Sequence, residues 1–176
     1  SPLINQDLLK QIDLEGPPLC PKIPSIDNPL LALVDQLFTI GTRCADYIQG
    51  HVGENQIFGK QGNDRLLGHR SQDLLRGGQG SDTLRGKQGD DILRGKSEHD
   101  ILRGGLGDDI LHGGNGKDQL LGHTGQDRLR GGAGRDTLTG GRGRDRLSAG
   151  RGADILKGQR NNDRLQGKHG RDTLNG

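Results

Sequence analysis

From Ile48 to Leu174 an aliphatic residue returns at every ninth position: Ile48, Ile57, then Leu in each later repeat. The residues between are mostly polar or glycine, so no face of a helix and no ordinary alternating strand fits the pattern. A spacing of nine predicts a three-residue strand with its middle side chain inward and its neighbours outward, followed by a six-residue turn. Two such units close one coil, and the aliphatic residues stack between two parallel sheets. The predicted fold is therefore all-β, a right-handed parallel β-roll (a β-solenoid) of about seven coils with a short N-terminal capping segment. That segment contains the one helix expected, over residues 29–40, "PLLALVDQLFTI", with Pro29 at its start and Gly41 at its end.

The polar positions hold the same register. Residues 41–175 divide without insertion into 15 blocks of nine. Block position one is Gly in 14 of them, with Ala149 the exception, and position four is Gly in 11. Position six is Asp in 14, and Asn55 is the one departure. Glycine at positions one, two and four permits positive φ, as a tight turn requires. Blocks starting at Gly77, Gly104, Gly113, Gly131 and Gly140 read G-G-x-G-x-D in full. This resembles the nonapeptide of RTX proteins, and the resemblance implies a β-roll that binds calcium in its turns. It covers about three quarters of the chain, from residue 41 onward, and leaves residues 1–40 outside.

Stacked coils place the position-six carboxylates in two columns, one holding Asp118, Asp136 and Asp154 and the other Asp109, Asp127 and Asp145. Like charges in register call for a cation, and a hard divalent ion held by carboxylates and turn carbonyls fits calcium better than magnesium. The expected ligands are Asp82, Asp91, Asp100, Asp109, Asp118, Asp127, Asp136, Asp145, Asp154, Asp163 and Asp172, with partial occupancy centred on residues 104–154. A competing reading has Arg and Lys neutralise the aspartates. Position five carries Lys117, Arg135, Arg144 and Arg171, and position two carries Lys60, Lys87, Lys96 and Lys168.

Composition divides the chain near Gly41. Residues 1–40 hold all six prolines and a net charge of −3, whereas residues 41–176 hold 32 of the 33 glycines and a net of +5. The expected domains are a Pro-rich cap or docking segment over 1–40 and the roll over 41–176. No apolar run reaches membrane-spanning length. Cys20 and Cys44, the only cysteines, are expected to pair and tie the cap to the first block, which implies an oxidising compartment.

Position seven on alternate blocks gives an outward column reading Gln56, Leu74, Ile92, Ile110, Arg128, Arg146 and Arg164. Its first half, with Phe58 nearby, is an apolar docking stripe for the N-terminal segment or a neighbouring subunit. Its second half is an arginine face for a polyanion or an acidic partner. No catalytic constellation stands out: "GKS" at Ser97 lacks the rest of a phosphate loop, and His51 and His69 stack without a third metal ligand. Three aromatic residues in the whole chain offer no platform for nucleic-acid bases. The sequence therefore points to a non-enzymatic, calcium-binding structural protein of the bacterial cell surface or exterior. Its partner is itself, stacked head to tail into a filament or surface layer. The alternatives are an adhesive module for acidic polysaccharide, and the calcium-driven folding module of a larger secreted enzyme or toxin.

Overall fold

The computed structural model describes residues 36–176, which form 16 strands and no helix. Strand β1 (Gln36–Ile40) comes first, then β2 (Tyr47–Gln49), β3 (Glu54–Gln61), β4 (Arg65–Leu67), β5 (Asp73–Gln79) and β6 (Thr83–Gln88). The middle of the roll holds β7 (Ile92–Ser97), β8 (Ile101–Leu106), β9 (Ile110–Asn115), β10 (Gln119–Thr124) and β11 (Arg128–Ala133). The last are β12 (Thr137–Arg142), β13 (Arg146–Arg151), β14 (Ile155–Arg160), β15 (Arg164–His169) and β16 (Thr173–Asn175). Odd-numbered strands build one eight-stranded sheet and even-numbered strands the other, each in sequential order. All pairings are parallel and join residues eighteen apart, such as Leu75 with Leu93 and Leu93 with Leu111. The chain is thus an all-β parallel solenoid of about eight coils.

Apart from β2, β4 and β16, the strands are longer than the three residues expected. They run on through positions one to three of the next block, because glycine there pairs with the neighbouring coil instead of turning away. The bend is confined to positions four to six. Inside lie two aliphatic ladders, Ile57, Leu75, Leu93, Leu111, Leu129 and Leu147 facing Ile48, Leu66, Leu84, Leu102, Leu120, Leu138 and Leu156. Nearly every one of these side chains is fully buried. In the last coil Leu165 is half-buried and Leu174 is 46% exposed.

The helix expected over residues 29–40 needs correction where the structure describes it. Gln36–Ile40 is strand β1, paired in parallel with β3, and residues 29–35 lie outside the described residues. Thr39 pairs with Ile57 and is buried in the column of interior side chains, so the roll begins half a coil before Gly41. Sequence periodicity favoured a helix, but β3 offers an open row of backbone donors and acceptors. Phe, Thr and Ile in the segment suit a strand once that template exists. Thr39 Oγ1 is buried there without a hydrogen-bond partner.

Candidate metal-binding turns

The position-six residues sit where each turn re-enters a strand, and the coil repeat aligns them in two columns. Asp46, Asp64, Asp82, Asp100, Asp118, Asp136, Asp154 and Asp172 form one; Asn55, Asp73, Asp91, Asp109, Asp127, Asp145 and Asp163 form the other. Along both columns the backbone N–H of one member donates to Oδ1 of the next, at 2.8–3.0 Å. From Asp64 to Asp154 these side chains are almost completely shielded from solvent.

The other carboxylate oxygen has no such partner. Oδ2 of Asp64, Asp82, Asp91, Asp100, Asp109, Asp118, Asp127, Asp136, Asp145, Asp154 and Asp163 is buried and accepts no hydrogen bond. No Arg or Lys donates a hydrogen bond to these atoms. A buried carboxylate oxygen left unpaired is expensive. Only near the N-terminal end is it satisfied internally. Oδ2 of Asp46 accepts from the Thr42 N–H at 2.6 Å, and Oδ2 of Asp73 from the His69 N–H at 2.7 Å.

Burial sets the protonation behaviour. Desolvation first, then repulsion along the column, pushes Asp91 up to about 8 against the stabilising N–H from Asp73. Asp82, Asp100, Asp109 and Asp127 are pushed up to about 7, and Asp64 and Asp136 to about 6, with burial the leading cause in each. Asp73, Asp118, Asp145 and Asp154 move in the same direction for the same reason. Without a counter-ion Asp91 resists ionising at neutral pH.

Asn55, the single departure from Asp, tells what the turns want. Its Nδ2 donates to the carbonyls of His51 (3.0 Å) and Gly53 (2.7 Å) and to Oδ1 of Asp73 (2.7 Å). Three oxygens thus converge on one electropositive atom. They are the position-two carbonyl, the position-four carbonyl and the carboxylate of the next coil, three kinds of atom that recur in each turn followed by a further coil. From Gly62 onward, the position-four glycine carbonyls accept none of the turn hydrogen bonds between backbone groups. Position-four glycines keep these carbonyls in file. Gly134 has φ 133°, and a Cβ on it would collide with the carbonyl oxygen of Gly116 one coil earlier.

This donor set is all oxygen and carbonyl-rich, the preference of a hard cation such as calcium. Among the described residues no group of three or more His, Cys, Asp or Glu side chains converges. A cation in these turns would meet one or two carboxylates plus carbonyls. His51 has already committed Nδ1 to the N–H of Gly53 at 2.9 Å.

The other expected features are placed as follows. Leu74, Ile92, Ile110, Arg128, Arg146 and Arg164 form one outward column in register. Leu74 and Ile92 are half-buried, Ile110 is 41% exposed and the three arginines are exposed. Phe58 stands in the adjoining column, with the Arg76 guanidinium 5.2 Å from its ring centre. Cys44 is buried in the first block, and Cys20 lies outside the described residues. Two features escaped the sequence reading. Asp46, Asp64 and Asp73 belong to the columns, as their register alone would have shown. At position five, Asn63, Asp90, Asp108 and His99 side chains accept the N–H of the next coil's position five.

Two parallel sheets, an aliphatic ladder and turns lined by unpaired oxygens define a metal-binding parallel β-roll. The family model of the RTX calcium-binding nonapeptide repeat matches overlapping segments from residue 40 to residue 176, including 40–66, 85–120 and 121–156. The chain belongs to that family, and calcium is the ion its turns are expected to hold. No curated protein is similar enough to this chain to count as a match.

Proposed function

We propose that calcium, held between successive coils by the aspartate columns, converts this chain into a rigid, non-catalytic structural element outside the bacterial cell. The observation that carries the reading is the run of buried Oδ2 atoms without partners, set against the Asn55 turn, where an amide supplies the missing positive charge. Asp82 through Asp172 at nine-residue intervals are the ligands in this account, joined by Asp64. Secretion and an oxidising exterior suit a Cys20–Cys44 disulfide, a pairing favoured by the burial of Cys44 and by the lack of any free cysteine among the described residues. Head-to-tail stacking of one subunit on the next, into a filament or surface layer, is the assembly that goes with this reading.

Sedimentation velocity of the full chain in millimolar calcium and in chelator tests both parts. Calcium is expected to turn a slow, expanded species into compact or larger ones. A compact species of unchanged size in chelator would sink metal-driven folding. A strictly monomeric species in calcium at high concentration would sink assembly.

The exposed column Arg128, Arg146 and Arg164 favours a second reading, in which the roll adheres to a polyanion. Salt-sensitive binding to an acidic polymer is its signature, and indifference of the folded chain to every polyanion would remove it.

A further inference from the structure

Beside the arginine column, on the outer face of the odd-strand sheet, three more columns run across the coils. One holds Arg94, His112 and Arg130. The next holds Lys96, Gly114, Gly132, Gly150 and Lys168. The third holds Asn115, Ala133, Arg151 and His169. Together they line a groove of about 570 Å³ that contains no Asp or Glu.

Its shape follows from the middle column. Lys60, Lys87, Lys96, His123, Gln159 and Lys168 all occupy this block position with positive φ, so the roll accommodates side chains there. Three consecutive glycines instead leave a trough, closed by a lysine at each end. Four coil steps of ~4.8 Å put those lysines about 19 Å apart. His112 is held below its ordinary range by burial and by Arg130, Arg94 and Lys96 around it, which reflects the positive potential concentrated there.

We propose that this groove binds a linear sulfated or carboxylated glycan, laid along Gly114, Gly132 and Gly150 with its anionic groups on Arg94, Arg130 and Arg151. The inference rests on the second reading above and moves the contact from the exposed arginine column into the trough. Guanidinium forks match sulfate and carboxylate in two-point contacts. A nucleic-acid strand fits less well. The groove has no Phe, Tyr or Trp side chain for base stacking.

The test uses the full, calcium-loaded chain and a heparin-derived octasaccharide, with calorimetric titration as the readout. R94Q/R130Q/R151Q is expected to weaken binding by roughly tenfold or more, and R128Q/R146Q/R164Q by clearly less. Gly132→Lys adds a positive charge but fills the trough, and is expected to weaken binding too. Circular dichroism in calcium verifies that each variant is folded. Binding that survives the groove triple variant, or rises in Gly132→Lys, overturns the groove while leaving the polyanion reading intact. No binding by the wild-type chain overturns both. Tighter binding of a single-stranded oligonucleotide than of the octasaccharide overturns the glycan assignment.

Discussion

Replacing Asn55 with Asp tests the account of the turns at the one place where the chain carries its own control. The substitution removes an amide nitrogen that faces three oxygens at 2.7–3.0 Å. Two N–H bonds lost at ~0.5–1.5 kcal/mol each amount to about 1–3 kcal/mol. A new carboxylate also faces Asp73, and two charges ~4 Å apart repel by about 4 kcal/mol at an effective dielectric constant near 20. Protonation of the pair limits that repulsion, so a loss of roughly 2–6 kcal/mol in chelator brackets the effect. In calcium the sign changes. The variant turn now has the same carboxylate and carbonyls as its neighbours and should take up one additional ion per chain. Native mass spectrometry or flow dialysis counts the ions. An unchanged ion count would refute the claim that the amide stands in for a cation.

Acidity should act oppositely on the two forms of the chain. In the calcium-free roll the buried aspartates titrate well above their unfolded value of 3.8, up to about 8 for Asp91. Their contribution to stability is therefore fully present below about pH 4 and is lost as pH rises to 8. Circular dichroism in chelator should show more roll at pH 4.5 than at pH 8, while calcium affinity should strengthen over the interval from pH 6 to 8 with proton release on binding; the reverse order in either would contradict the buried-carboxylate picture. Gly134→Ala puts a methyl against the Gly116 carbonyl at positive φ and should cost at least ~1–3 kcal/mol, measured as a lowered Tm in calcium. Leu111→Ala opens a hole in a ladder with no second layer behind it and should cost about 2–5 kcal/mol. Hydrogen exchange should then rise in the coils on both sides of Leu111, and an effect confined to that residue would argue against coil-to-coil cooperativity.

How much of this was legible in the sequence depended on whether a feature repeats. The nine-residue register by itself determined the coil, the inward Leu ladder, the two aspartate columns and the outward order Leu74, Ile92, Ile110, Arg128, Arg146 and Arg164. Parity and a fixed strand geometry leave a repeating chain no other way to stack. Where the repeat stops, the reading weakened: residues 36–40 lie outside the nonapeptide, and their helical pattern yielded to the open edge of β3. Three further matters were settled only by the tertiary structure. The carboxylates could have met arginine, water or backbone, and it is the coil rise that hands one oxygen to a backbone N–H and buries the other alone. Asn55 looked like a lapse in the motif until its amide was seen among three oxygens from two coils. The glycine-floored groove joins residues eighteen apart in sequence and from three different block positions, so no local motif announces it. In each case the deciding contact lies between coils, at a distance set by sheet hydrogen bonding and not by the order of residues within a block.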